Sequence, residues 1–475
     1  MTLKPVTEEF INRLKSGLSP GVASAVPDDY LLEPRSRWQG VSSILMLPRT
    51  VKEVSAIVSS ANAENIPIIP YGGGTGLVGG QIQDKGPAGI LLSLERMNKI
   101  RSLNVDENII TVEAGVILSN LRDAAEKEKK IFPLSLASEG TAQIGGNLAT
   151  NAGGVNVLRY GSTRNLCLGL EVVFADGSIW NGLSRLHKDN TGYDLKNLII
   201  GSEGTLGIIT AATLKLFPKP IERTVALIAV NSPKDALKLL SETKEFFGET
   251  ISAFELINKM GIHFFRETKL MLKFPFSNIP EWMVLLDIGH PGKFSTKENT
   301  NEFFENILTS GLAVDGVLAE NVSQQNDLWA IRENIPEANR RIGSVSSHDI
   351  SLPLSEINSF IEETRLEILE LGNFRINCFG HLGDGNLHFN IFPQKGENRG
   401  DYNHIRPTIK ATVHDLVHSH GGSVSAEHGI GRLKINDLVK YSDPIKLKQN
   451  KLIKSAMDPK GILNPGAIFG SNLHE

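Results

Sequence analysis

Cysteine is almost missing from this chain: Cys167 and Cys378 are the only two among 475 residues. A disulfide framework is excluded as the basis of the fold, and a reducing compartment is expected. Long apolar runs are missing too. No stretch of about 18 apolar residues occurs, so no membrane-spanning helix is predicted. Nor is positive charge in excess. The 49 Lys and Arg against 53 Asp and Glu leave a formal net charge of −4, which argues against nucleic acid as a partner. The opening MTLKPVTEEFINRLKSGL carries acids where an export signal would carry an apolar core, so a cytoplasmic location is expected.

Glycine, by contrast, is abundant, with 45 residues. It clusters at 72–80, 140–154, 201–207 and 380–385. The first cluster, YGGGTGLVGGQ over 71–81, contains G-x-G-x-x-G at Gly74, Gly76 and Gly79. A Rossmann fingerprint needs a strand before that pattern and a helix opening at its end, because the helix N-terminus carries the pyrophosphate. IPIIPY supplies the strand. The following GGQIQDKGPAG, with four glycines and a proline, excludes the helix. Glu95 stands at about the distance of a ribose-binding acid but lacks that intervening helix. The stretch therefore reads as a glycine-lined phosphate loop. SEGTAQIGGNLATNAGG (138–154) and GSEGTLGIIT (201–210) share its composition of glycine, small hydroxyls and asparagine. Such loops let backbone close on a large, flat, polar ligand. Asn147, Thr150 and Asn151 could then donate and accept at its edge.

The length predicts two or three domains. Up to FPKPIERT, short β-branched runs alternate with helical segments: SSILMLP, then a helix through TVKEVSAIVSSANAEN capped by Thr50, then strands at IPIIPY, GILLSL, IITVEAGV, LGLEVVFADG and GIITAATLKLFP. Beyond that break, RTVALIAV, SPKDALKLLSETKEFFG and ISAFELIN form one β-α-β unit, and WMVLLDIG, TKENTNEFFENILTSG and LAVDGVLAEN form a second. Two such units predict a ferredoxin-like, mostly antiparallel sheet. One helix is expected through LWAIRENIPEANRR, a strand at HDISLP, and a strand pair at FRINCFGHL and NLHFNIF. The boundaries expected are 1–217, 218–430, and a segment 431–475 returning to the first domain.

CFGHLGDGNLHFNIF sets His381 and His388 on either side of a turn, where a hairpin would let both imidazoles converge on one ion. An ordinary satisfied histidine pair is the alternative. SAEHGIGR offers Glu427 and His428 side by side, and in an extended segment their side chains point opposite ways. Two His and one carboxylate with open positions suit Zn²⁺, with Mn²⁺ or Fe²⁺ also tolerated. His414 and His418 stand i, i+4, but no Glu follows the first, so they read as a polar helix face. Arg332 in LWAIREN is either a solvated helix arginine or a fork for a carboxylate.

Five motifs in order carry a family resemblance: PYGGGTGLVGGQ, SEGTAQIGGNLATNAGGVNVLRYGS, KDNTGYDLKNLIIGSEGTLGIIT, GHLGDGNLHFNI and SAEHGIGRLK. They resemble the FAD-dependent 2-hydroxy acid dehydrogenases of the vanillyl-alcohol oxidase superfamily. The branch most resembled holds the D-2-hydroxyglutarate dehydrogenases, with D-lactate dehydrogenases and the glycolate oxidase flavoprotein subunit nearby. The resemblance implies an α+β chain, with a PCMH-type two-subdomain FAD-binding domain and a ferredoxin-like cap, the FAD-linked oxidase C-terminal domain. It implies that Pro70, Gly72, Gly73, Gly74, Thr75, Gly76, Gly79, Gly80 and Gln81 wrap the FAD pyrophosphate. Gly140, Gly145, Gly146, Asn147, Thr150, Asn151, Gly153 and Gly154 would line the flavin. Glu203, Gly204 and Ile209 would hold the adenine side, with Asn464 closing from the tail. Gly73 stands where some relatives place a flavin-linking histidine, so non-covalent FAD is expected.

The resemblance further assigns the metal, Zn²⁺ by preference, to His381, His388 and Glu427. It makes His428 the base, and Arg332 and Asn386 substrate contacts. Hydride would leave C2 of a D-2-hydroxy acid for flavin N5 as the hydroxyl loses its proton to His428. Relatives acting on D-2-hydroxyglutarate have a lysine just before the aromatic–Asp pair and a threonine a turn after the arginine. Here those positions are Ser347 and Pro336, with Arg340 the available compensating cation. A soluble electron carrier, either an electron-transfer flavoprotein or a quinone-linked partner, is expected, and a homodimer is compatible. Two other readings compete: a zinc hydrolase on His381, His388 and Glu427, and a same-fold flavoprotein oxidase of another alcohol.

Overall fold

A computed structural model describes residues 2–290, 292 and 297–470. The chain divides into two compact units: residues 1–153, 161–218 and 427–475 form the first, and residues 154–160 and 219–426 form the second.

The first unit holds two main sheets. In one, the strands Ile44–Met46, Ile90–Ser93 and Ile68–Tyr71 run parallel, edged by Ala23–Ser24. The helix Val51–Glu64 follows the first of these parallel strands. Thr50 caps it by accepting from the Glu53 amide at 3.2 Å, and Asn65 ends it in the left-handed conformation at φ 59°. Its buried Val54, Ile57, Val58 and Ala61 fall at helical spacing and pack on Met46, Ile68, Ile90 and Leu92. The other sheet is antiparallel, in the order Ile100–Asn104, Ile109–Glu113, Ile208–Lys215, Cys167–Val173, Ile179–Gly182. Its Val173 and Ile208 join the same core. Among the described residues no helix separates Ile68–Tyr71 from Ile90–Ser93, so the glycine loop runs directly between two parallel strands.

From residue 427 on, the described part of the chain packs as part of this unit. Ile68 donates to the Ile462 carbonyl at 2.8 Å and accepts from Asn464 N at 2.8 Å, which lays the tail along the strand leading into the glycine loop. The buried Lys454 ammonium donates to the Thr205 carbonyl at 2.7 Å and the Leu463 carbonyl at 3.0 Å, and pairs with buried Asp458. Removing one partner of such a pair costs about 3–5 kcal/mol, so the tail is a structural member of the unit.

The second unit is built on a seven-stranded antiparallel sheet in the order Asp315–Leu318, Glu222–Val230, Trp282–His290, Ile251–Asn258, Arg375–His381, Asn386–Phe392, Ser346–Ser351. Glu222–Val230 and Ile251–Asn258 both pair antiparallel with Trp282–His290, so the helix Pro233–Phe247 connects two parallel strands with a third between them. This split β-α-β arrangement is the ferredoxin-like plan, and the last three strands extend it. The expected second helix is Lys297–Thr309; Thr296 lies outside the described residues. Arg159 fastens segment 154–160 to this sheet by donating to the carbonyls of Thr250 and Gly289 and to Ser252 Oγ. The helix expected through LWAIRENIPEANRR is two helices, Val322–Glu333 and Ile335–Ile342, meeting at Asn334. Pro336 has no N–H to give the Arg332 carbonyl, so the first helix ends there. No helix among the described residues is long and apolar enough to cross a membrane.

Candidate functional site

Within the first unit, the glycine clusters converge on one open cleft. Pro70 lines it from the strand Ile68–Tyr71, Gly72, Gly73, Gly74, Thr75 and Gly76 from the loop that follows, and Gly80 and Gln81 from the loop's far arm. Gly145, Gly146, Asn147 and Thr150 enter from the helix Ile144–Ala149 and its end. Glu203, Gly204, Ile209, Asn464 and His428 complete the sequence-predicted set. A Cβ on Gly73 would collide with the Thr141 carbonyl, so this backbone has no room for a histidine there.

Five predicted cofactor residues do not line the cleft. A Cβ on Gly79 would point at the Trp38 ring. Asn151 takes the left-handed conformation at φ 49°, and its Oδ1 accepts from Ser162 Oγ and Arg164 N, both at 3.0 Å. Gly140 and Gly153 also lie off the wall, and Gly154 belongs to the second unit. Sequence reasoning missed Leu92, Ala114 and Gln143, which line the cleft from a strand, the turn after a strand and the start of the helix Ile144–Ala149.

It also missed the fastening behind the loop. Glu203 is buried, and its carboxylate accepts from Ile430 N at 2.7 Å and Gly431 N at 2.8 Å. Burial pushes this carboxyl upward, against the lowering pull of those two amides. Arg432 donates to the carbonyls of Gly79 and Gly80 and to Asn464 Oδ1. Burial brings its guanidinium down to about 10, with Asp84 and Glu203 opposing. Asn464 Nδ2 donates to the Gly80 carbonyl at 2.9 Å and the Glu203 carbonyl at 2.8 Å. Gly431, at φ 51°, lies where a Cβ would collide with the Val78 carbonyl, which explains the glycine in HGIGR. Two glycine clusters and the tail are thereby tied at one point.

In the second unit, the hairpin strands Arg375–His381 and Asn386–Phe392 bring His381 and His388 to ring centroids 5.5 Å apart, at 80° between planes. They are diagonal neighbours: His388 pairs in register with Phe379, and His381 pairs with Glu255 of the adjoining strand. His381 Nδ1 lies 2.7 Å from Glu255 Oε1, and Arg332 Nε donates to Glu255 Oε2 at 2.7 Å. Burial alone would raise the Glu255 carboxyl, but His381 and Arg332 outweigh it and hold the group at about 2. Arg332 is therefore no solvated helix arginine; it is buried, with its guanidinium carbon 4.8 Å from the Phe379 ring centroid. Asn386 Nδ2 donates to Asp349 Oδ1 and the Ile350 carbonyl, while its buried Oδ1 has no hydrogen-bond partner among the described residues. His414 corrects the polar-face expectation: it is buried, its ring 5.1 Å from that of His348.

The fit of a flavin nucleotide rests on one orphaned atom and one crowded glycine. Asn147 is buried on the cleft wall with no hydrogen-bond partner for Oδ1 among the described residues, so a ligand N–H would satisfy it. Gly73 keeps backbone rather than side chain at the loop surface. The donor set for a metal fits too. Nδ1–H of His381 directed at Glu255 leaves the Nε2 lone pair for coordination, the carboxylate–histidine pairing common behind bound zinc.

Residues 42–182 match the FAD binding domain family model, and residues 219–468 match that of the FAD linked oxidases, C-terminal domain. A D-2-hydroxyglutarate dehydrogenase of Danio rerio is 38% identical over 479 residues, 99% of this chain and 86% of the relative. The chain belongs to the FAD-linked D-2-hydroxyglutarate dehydrogenase family. The enzyme is thus an FAD-linked oxidoreductase acting on CH–OH donors, which removes the hydrolase reading. The Arabidopsis thaliana relative is 37% identical, covering 92% of this chain and 77% of its own length. One from Xanthomonas citri pv. viticola is 34% identical, covering 91% and 90%. The plant and fish proteins are named as mitochondrial, so the expected cytoplasmic address does not carry over from them. p-Cresol methylhydroxylase shares the enzyme's fold at a TM-score of 0.76 and 17% identity over 100% of both chains. Alkyldihydroxyacetonephosphate synthase does so at 0.70 and 18%, over 98% of this chain and 86% of its own.

Proposed function

We propose that the enzyme oxidises a D-2-hydroxy acid, of the D-2-hydroxyglutarate or D-lactate type, to its 2-oxo acid with His428 as the base. The observation supporting this most directly is that His428 lines the same cleft as the glycine loops. Bound FAD would supply the two-electron sink. A Zn²⁺-type ion would supply Lewis acidity toward the substrate hydroxyl. His381 and His388 would hold that ion, and the SAEHG motif nominates Glu427 as the carboxylate. Oxidation at C2 requires the hydroxyl proton to leave, and His428 takes it at the imidazole. Arg332, with Nε held by Glu255, turns its terminal nitrogens to the substrate carboxylate. Asn386 Oδ1 accepts from the substrate. The test is anaerobic addition of D- and L-2-hydroxy acids to the yellow protein. D-acids should bleach the flavin and L-acids should not, and no bleaching by any D-acid overturns the reading. Reducing equivalents would then pass to a soluble carrier, an electron-transfer flavoprotein or a quinone-linked partner, in line with the relatives' naming as dehydrogenases.

FAD is held without a covalent bond in this proposal. Gly73 offers no side chain, and burial pushes the Cys167 thiol up to about 12, leaving no thiolate to attack the flavin. Acid or heat should therefore release all the flavin into the supernatant. Flavin that stays with the precipitated chain would contradict this.

Neither Ser347 nor Arg340 offers a free cation to the distal carboxylate of a five-carbon diacid. Ser347 is exposed, and its hydroxyl lies 2.6 Å from that of Ser344. Arg340 stands on a different helix from Arg332, mostly exposed, and forks onto Glu337. D-2-hydroxyglutarate is thus expected to be a poorer substrate here than in the relatives, with D-lactate or another short acid competing well. Ser347→Lys should raise kcat/KM for D-2-hydroxyglutarate tenfold or more, about 1.4 kcal/mol, and change D-lactate little. Strong wild-type preference for D-2-hydroxyglutarate, unmoved by the substitution, would mean that another cation serves.

A further inference from the structure

Glu255 sits in ISAFELIN, a stretch whose pattern is that of a buried strand, and every residue of Ile251–Asn258 is buried. A carboxylate in that setting is costly unless both oxygens are met by charge or hydrogen bonds. Both are met, and by the two groups on which the proposed chemistry depends. Oε1 faces His381 Nδ1 at 2.7 Å and Oε2 takes Arg332 Nε at 2.7 Å. The three residues come from a central strand, the hairpin and the helix Val322–Glu333. Their side chains are at most 8% exposed, so water does not compete for these bonds.

We infer that Glu255 is a shared positioning residue, which sets the tautomer of His381 for metal binding and the orientation of Arg332 for the substrate carboxylate, so that the two sites are held by one side chain. The inference rests on the proposed roles of His381 and Arg332. Directing Nδ1–H to Glu255 presents Nε2 as the coordinating nitrogen and fixes the ring plane. Occupying Nε of Arg332 leaves the paired terminal nitrogens, the edge that matches a carboxylate in two parallel bonds. Because one carboxylate serves both, loss of its charge moves metal affinity and substrate affinity together.

The test is Glu255→Gln on the full-length flavoprotein, reading Zn²⁺ affinity by competition with a chromogenic chelator, KM and kcat for the preferred D-2-hydroxy acid, and flavin content. Zn²⁺ affinity should fall about 10–100-fold, the scale of losing a partner behind a metal ligand. KM should rise at least tenfold, while flavin content stays at the wild-type level. Glu255→Asp, which keeps the charge, should recover part of both losses. Wild-type Zn²⁺ affinity and KM in Glu255→Gln, with only a lowered melting temperature, would show a purely structural role and overturn the inference. If the single variant does not fold because Arg332 is stranded, Glu255→Gln/Arg332→Gln is compared with Arg332→Gln alone. A further tenfold loss of Zn²⁺ affinity in the double variant supports the inference, and equal affinities overturn it. A wild-type protein that binds no Zn²⁺ would overturn the metal reading itself, an outcome distinct from the other two.

Discussion

Substitution of His428 by asparagine is expected to slow reduction of the flavin by D-2-hydroxy acids about 10²–10⁴-fold, the usual contribution of a general base, with the flavin still bound. Asparagine keeps a polar, hydrogen-bonding side chain of similar reach but has no basic nitrogen. The surrounding backbone should not move, because Ile430 and Gly431 remain pinned to Glu203 and Gly431 remains packed on Val78. A stopped-flow record of flavin bleaching, with the visible spectrum as control for cofactor content, measures the effect directly. Wild-type bleaching rates in this variant would remove His428 from the proton transfer and with it the proposed mechanism.

Removal of the metal should be comparably severe. Chelation, or His381→Ala, is expected to lower turnover by more than about 10²-fold, since Lewis-acid assistance to hydroxyl ionisation is worth several kcal/mol. The flavin spectrum should stay nearly intact, because every residue lining the cleft proposed for the flavin belongs to the first unit and His381 belongs to the second. His381→Ala also removes one of the two groups that meet buried Glu255, leaving Arg332 alone. Some stability loss in the variant is therefore expected, and chelation with Zn²⁺ add-back separates that from chemistry. Full activity in a chelated, metal-free preparation would remove the metal from the reaction.

Much of this enzyme is local and could be read along the chain. The 71–81 loop could not open a Rossmann helix because its own glycines and Pro87 forbid one, and the structure runs it straight between strands. Thr50 capping, the β-α-β rhythm after FPKPIERT and the hairpin around LGDGN are likewise set by neighbours within a few residues, where turn chemistry and side-chain period act. The tertiary structure alone decided which of those pieces meet. Glu255 reads as one more residue of a core strand, yet its partners lie 77 and 126 positions away. Arg432 and Glu203 fasten a loop 352 and a backbone turn 228 residues distant, which no periodicity encodes. Asn151 shares its composition with the cleft-lining residues beside it, yet its backbone is left-handed and its side chain accepts from Ser162 and Arg164. Composition identifies a loop able to approach a ligand. Which atoms face that ligand depends on how the rest of the chain satisfies the buried polar groups around it, because each unsatisfied group costs about 1–3 kcal/mol and only long-range packing supplies the partners.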